Sequence, residues 1–244
     1  LKLQEEQITK IETSTQSEPE ITNLSREELL TSTKRIIINT SKINGSINLK
    51  GAKFDDITLK SYNKELNSTE KIQLLNPKNS QKDYFAEFGW VSNQKINIPD
   101  KNTIWKSKSN TLTPNSPAIL TWRNNQGLTF KRTISIDENY LFSITDKITN
   151  NSSDIIELTN YGLINRIYKP ETMAMYILHE GPLAVTNGEL QEIKYKKLKK
   201  KQKIQFEDSQ GWLGISDKYW LTAIIPDKKS NHNISFKAYQ KNNN

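Results

Sequence analysis

Residues 118–136 read "AILTWRNNQGLTFKRTISI", two alternating apolar–polar runs around Asn124-Asn125-Gln126-Gly127. Alternation with period two places one side-chain set on each face of a strand. Asn and Gly between the runs supply the left-handed backbone that a tight connection needs. The stretch therefore predicts a β-hairpin, and the chain around it has the same texture.

In "YLFSITDKI" (140–148) Tyr140, Phe142, Ile144 and Ile148 share one face, while Ser143, Thr145 and Lys147 share the other. That is a half-buried strand. The polar "TNNSSD" (149–154) predicts a second hairpin turn. Strand-sized pieces recur at 35–39, 46–49, 57–62, 191–195, 203–206 and 219–225, and no helical period is sustained after residue 34. Ahead of them, Ser25 with Glu28 is a capping-box pattern that predicts one short helix over 26–33. Residues 1–24 are polar, aperiodic and contain Pro19, as expected of a tether. Many short strands with turns between them mean an all-β sandwich or closed sheet, here with a short N-terminal helix.

The totals restrict function. Among 244 residues there is no cysteine and there are only two histidines, His179 and His232. Disulfides, thiolate nucleophiles and Cys- or His-rich metal sites are thereby excluded, so no metal and no cofactor is expected. No run approaches the roughly 18–20 apolar residues that cross a bilayer. A soluble segment without a signal peptide is the expectation. The net charge of +8, with many Lys and Asn residues, favours anionic partners or reflects compositional drift.

The motifs carry little chemistry. Neither GxGxxG nor GxxxxGK[ST] occurs, so no phosphate-cradling loop is expected. "HEGP" (179–182) sets His179 beside Glu180, but neighbours on a strand face opposite ways, and Gly-Pro marks a turn. "KYKKLKKKQK" (194–203) holds seven lysines. It reads either as a solvated turn between strands or as a basic patch comprising Lys196, Lys197, Lys199, Lys200 and Lys201. Nucleic acid is not expected there, because arginines and interleaved stacking aromatics are lacking. In "GWLGISDKYWLTAIIP" (211–226), Tyr219, Leu221, Ala223 and Ile225 fall on one face and Trp220, Thr222 and Ile224 on the other. Both faces being apolar predicts a strand covered on both sides. Gly211 and Gly214 are then expected to shape a turn before it, with Trp220 in the core.

This last stretch resembles the Gly211-Trp212, Gly214, Lys218-Tyr219-Trp220 and Pro226 pattern in the periplasmic domain of the YidC insertases, members of the YidC/Oxa/Alb family. Other segments are similar in the same order: "GSINLKGAKFDDITLKSY" (45–62), "YFAEFGWV" (84–91), "NTLTPNSPAILTW" (110–122) and "GLTFKRTISIDENYLF" (127–142). "YGLINR" (161–166), "PETMAMYILHEGPLAV" (170–185) and "LQEIKYKKL" (190–198) continue the series. The likeness covers roughly 35–226 and is strongest to alphaproteobacterial members.

The resemblance implies a large β-supersandwich of galactose-mutarotase type, spanning 25–244, placed on the periplasmic side of the bacterial inner membrane between a first and a second transmembrane helix. Residues 1–24 then read as the exit from a first helix absent here. The family's domain usually continues with further strands and a helical piece, so this one is expected to be incomplete at its C-terminus. The function implied is non-catalytic support of membrane-protein insertion, with the Sec translocon, its accessory subunits and nascent inner-membrane proteins as partners. The lysine patch adds anionic lipid headgroups or an acidic protein as candidates. A mutarotase-like sugar enzyme or carbohydrate-binding module is the alternative, supported by fold likeness alone.

Overall fold

Arg132 lies on the inward face of a strand, alternating with Leu128, Phe130, Ile134 and Ile136, and is wholly buried. The computed structural model describes residues 24–168 and 179–239, and its architecture can be followed outward from that guanidinium. The chain divides into two compact units, residues 1–167 and 168–244. Residues 1–23 of the expected tether and 170–178, "PETMAMYIL", lie outside the described residues.

Unit 1 opens with helix α1 (Arg26–Thr31). The expected capping box is present: Glu28 N–H donates to Ser25 Oγ (3.2 Å) and Ser25 N–H donates to Glu28 Oε2 (2.7 Å). Reciprocal capping satisfies two of the donors that a helix start leaves unpaired. Eleven strands follow: β1 (Arg35–Asn39), β2 (Ile43–Asn48), β3 (Lys53–Asn63), β4 (Lys71–Leu75), β5 (Tyr84–Val91), β6 (Lys106–Ser107), β7 (Thr111–Leu112), β8 (Ala118–Arg123), β9 (Leu128–Ile136), β10 (Phe142–Asn150) and β11 (Thr159–Arg166). One sheet has the order β11-β5-β3-β2-β1-β7, with β4 also paired to β3; the other runs β10-β9-β8-β6.

The 118–136 hairpin forms as expected, with Ala118 opposite Ile134 and Trp122 opposite Phe130. Gly127 adopts φ +89°, and Asn124 Oδ1 accepts from the N–H groups of Gln126 (3.0 Å) and Leu128 (2.8 Å). Residues 149–154, however, close no hairpin. Strand β10 pairs with β9, and β11 pairs with β5 in the other sheet. The turn chemistry is real, since Asn150 Oδ1 accepts from Ser152 N–H at 2.9 Å. Its effect is to hand the chain from one sheet to the next, a choice that inter-sheet packing makes and local turn residues do not encode.

The two sheets of unit 1 meet through aromatic rings and Arg132. Phe54 of β3 packs edge-on against Phe142 of β10 (5.3 Å), and Trp90 of β5 against Phe130 of β9 (5.0 Å). Arg132 donates two bonds to the carboxylate of Asp146 on β10 (2.8 and 2.9 Å) and one to the carbonyl of Phe88 on β5 (2.9 Å). Its plane lies 4.9 Å from the ring centre of Trp90 and 5.5 Å from that of Trp105. Planar, always charged guanidinium suits this simultaneous fork and stacking.

Unit 2 holds β12 (Gly181–Thr186), β13 (Glu189–Glu192), helix α2 (Tyr195–Lys201), β14 (Lys203–Ser209), β15 (Gly211–Ser216), β16 (Leu221–Ile224) and β17 (His232–Lys237). The sheet β13-β12-β15-β16 and the pair β14-β17 are its β layers. Ala184, Ile193, Leu198, Ile234 and Phe236 form its core. The chain is all-β in class, as the sequence predicts. No helix among the described residues is long and apolar enough to cross a membrane.

Replacing Arg132 by methionine should lower the stability of unit 1 by about 2 kcal/mol in urea unfolding, because the Phe88 carbonyl loses its donor and Asp146, which is open to solvent on one side, loses its countercharge. A loss below about 1 kcal/mol would show that the guanidinium does not hold the sheets.

Candidate functional site

Most of the lysine-rich segment, Tyr195–Lys201, is helix α2 and not a turn between strands, with Lys194 at its N-cap and Lys203 opening β14. The residue set 191–195 accordingly splits, with β13 ending at Glu192 and the helix starting at Tyr195. Lysine is a good helix former, and seven residues with one inward side chain are too short to display a period. That inward residue is Leu198, buried in the unit 2 core. At 3.6 residues per turn, Lys196, Lys197, Lys199, Lys200 and Lys201 spread over the remaining arc, and all five are exposed. Lys199, Lys200 and Lys201 occupy the last turn, where the helix dipole favours cations.

The aromatic stretch 211–226 departs most from expectation. Gly211 and Gly214 lie within β15, not in a turn. Gly211 has φ +141°, and a Cβ there would collide with the Val185 carbonyl oxygen of the neighbouring strand β12. A Cβ on Gly214 would meet the Thr222 oxygen of β16 at 2.5 Å. Both glycines therefore serve close backbone approach. The turn is instead Asp217–Trp220, closed by Asp217 N–H donating to the Trp220 carbonyl (2.7 Å). Lys218 rests over the exposed Tyr219 ring at 4.9 Å.

Strand β16 is at the sheet edge, not in the core. Tyr219, Leu221 and Ile225 are 71%, 47% and 61% exposed, while Trp212, Trp220 and Pro226 are half-buried. An apolar pattern on both faces predicts cover on both sides; in the structure the face carrying Tyr219, Leu221 and Ile225 is open.

His179 precedes β12, and its Nε2 is 3.2 Å from the Pro182 carbonyl. His232 begins β17 and is not in a polar tail; its Nε2 is 3.0 Å from the Asp227 carbonyl. A carbonyl only accepts, so Nε2 donates in both, and each ring is held by local backbone.

Ionisable residues that the sequence did not single out are concentrated in unit 1. A bulge between β2 and β3 makes consecutive Asp55 and Asp56 reach around Ser46. Arg35 pairs with Asp55, Arg26 with Asp56, and Arg35 Nε donates to Ser46 Oγ (2.6 Å), which donates to Asp56 Oδ2 (2.6 Å). Bulges re-aim side chains in this way. Burial raises the Asp55 carboxyl above its usual range, and the Arg35 charge partly offsets this. Beside it, Lys53 and Glu87 sit 3.8 Å apart; burial lowers the ammonium and raises the carboxyl. Tyr161 crosses Gly89 to hydrogen-bond Glu87, and Lys53 donates to the Lys101 carbonyl (3.1 Å). The signal available was "KFDD" with two acids at the middle of a strand pattern, and Arg132 at an apolar position of period two. These groups are buried and engaged with one another, an arrangement that builds structure. Among the described residues, no His, Cys, Asp or Glu cluster could hold a metal ion.

Asp83 lies between β4 and β5 and is fully buried. Burial raises its pKa to about 6, while bonds from Asn79 N–H (3.0 Å) and the Asn165 amide (3.1 Å) pull the other way.

Comparison with known proteins completes the picture. Residues 35–244 match the family model described as the YidC periplasmic domain. The chain is 44% identical over 205 residues to a membrane protein insertase YidC of Rickettsia bellii, covering 83% of this chain and 37% of that protein. It is 42% identical over 214 residues to one from Mesorhizobium japonicum, covering 86% of this chain and 36% of that protein. The chain thus spans a little over a third of the relatives it matches.

Two outcomes are expected. Trp220→Ala should cost about 1 kcal/mol by thermal melting, well under the about 3–5 kcal/mol of a fully buried aromatic ring. For Asp83, the folded pKa exceeds the unfolded one, so its contribution favours folding below about pH 4 and is lost as pH rises through about 6. Wild type should gain about 2–3 kcal/mol relative to Asp83→Asn between about pH 7 and about pH 4 in urea titrations. Parallel stability curves for the two proteins would contradict it.

Proposed function

The chain belongs to the YidC family of membrane protein insertases, whose periplasmic domain it carries, and from that premise we propose that it is the non-catalytic periplasmic part of a longer inner-membrane insertase. It serves as a scaffold and docking surface for Sec translocon subunits or for client segments leaving the membrane. The observation that carries this reading is the identity of 42–44% running along more than four-fifths of the chain to proteins named insertases, of which it spans little more than a third. Insertion itself then draws on the remainder of such proteins.

Two features support a docking role over a catalytic one. Lys53, Asp55 and Glu87, whose protonation burial displaces, are paired with opposite charges within unit 1, and both histidines lie against backbone carbonyls. The edge of unit 2 meanwhile presents Tyr219, Leu221 and Ile225 outward. Exposed apolar side chains on a sheet edge are contact material. Lys196, Lys197, Lys199, Lys200 and Lys201 add a charged face on the same unit.

Photocrosslinking side chains placed at Tyr219, Leu221 and Ile225 in the full-length protein test this in living cells. Covalent adducts with translocon subunits or nascent membrane proteins are the expected outcome. No adduct from these positions, together with normal insertion after deletion of residues 35–244, would reduce the domain to a spacer. Accelerated interconversion of sugar anomers, abolished by His179→Ala, would overturn the non-catalytic reading.

A further inference from the structure

Residues 193–206 contain seven lysines and no acidic residue, and residues 168–244 contain no arginine. The fold adds to this cluster something the linear run does not show. Ala238 N–H donates to the Gln202 carbonyl (2.9 Å), which brings the end of β17 against the end of α2. Lys203 and Lys237 are direct partners across the β14–β17 pair. Tyr239 follows, more than half exposed, with the Lys237 ammonium 5.7 Å from its ring centre. Like charges directly opposite on paired strands disfavour folding, and so do crowded cations on a short helix. The cations are gathered around the C-terminal end of α2.

We infer that helix α2, with the adjoining ends of β14 and β17, is a basic platform that docks on an anionic phospholipid surface. This rests on the reading of the chain as a periplasmic domain held near the inner membrane. The chemistry favours lipid over a specific phosphate or protein pocket. Lysine is a flexible point charge without the bidentate fork of arginine, and it suits headgroups whose positions are not fixed. The five helical lysines diverge from a convex surface, with Leu198 turned inward, so they meet a plane better than a cleft. Their long stems keep the ammonium groups at headgroup level while the aliphatic parts lie along the protein. Tyr239, apolar in body and polar at its tip, fits the rim of such an interface.

Vesicle flotation of the 244-residue chain tests it, with phosphatidylcholine alone or mixed with phosphatidylglycerol. Binding to the anionic vesicles should be at least tenfold tighter than to neutral ones, and should weaken steeply as salt shortens the screening length. Lys196→Gln, Lys197→Gln and Lys200→Gln combined should weaken it about a hundredfold, on the scale of one lysine near a charged membrane. These lysines are exposed, and an unchanged melting temperature in the triple variant confirms that the fold is kept. Equal binding to both vesicle types, or undiminished binding by the triple variant, would overturn the proposal. So would capture by polyglutamate with no vesicle binding, which would assign the patch to an acidic protein. Vesicle binding in a protein that yields no crosslinks would retain this inference and reject the docking function.

Discussion

Unit 1 depends on the burial of one guanidinium. Arg132 occupies a position that the alternation of β9 would otherwise give to an aliphatic side chain, and it is the bulkiest wholly buried residue among those described. A charge in that position is tolerable only where its donors are used and its face is covered. Asp146 supplies the countercharge from the same sheet, Phe88 supplies an acceptor from the opposite sheet, and Trp90 and Trp105 cover the plane. The inter-sheet bond is directional, whereas the surrounding Phe54, Phe130 and Phe142 contacts are not. The bond to the Phe88 carbonyl therefore selects one alignment of two sheets that apolar packing alone would hold less specifically.

A similar principle operates on the other side of β3. Asp55, Asp56, Lys53 and Glu87 are buried in a strand region that aliphatic residues could fill, and each has an opposite charge or a hydrogen-bond partner. The β2–β3 bulge is what allows adjacent aspartates to meet separate arginines. Such groups shift their protonation equilibria because they are buried, as catalytic groups do, yet their partners here are one another. The displaced ionisation of Lys53, Asp55 and Glu87 follows from their burial. Unit 2 has the opposite character. Its core is apolar and small, and its charges are displayed on α2, away from Leu198.

Some features were legible because they are local. The capping box needs only Ser25 and Glu28, and the 118–136 hairpin only alternation and Gly127; both form where the residues place them. The turn at 149–154 was legible as a turn but not as a crossover, since Asn150 and Ser152 make the same bonds whichever sheet receives the next strand. Helix α2 was missed because one buried leucine in seven residues leaves no period to detect. The candidate contact surface was half legible: the five lysines are contiguous in sequence, but Lys237 and Tyr239 join them through the β14–β17 pairing.

What the sequence determined by itself was the all-β class, the family signature and the exclusion of Cys- or His-rich metal sites, because composition, alternation and motif order are properties of the chain alone. Tertiary structure decided which strands are edges and which charges are buried. "KYWLTAII" is apolar on both faces, yet β16 ends a sheet and exposes Tyr219 and Leu221; "FKRTISI" carries an arginine, yet that arginine is enclosed. Apolar character gives the free energy available from burial, but neighbours supplied by distant segments determine whether burial occurs. The same holds for the charges, whose cost inside the protein depends on partners that only the folded chain brings together.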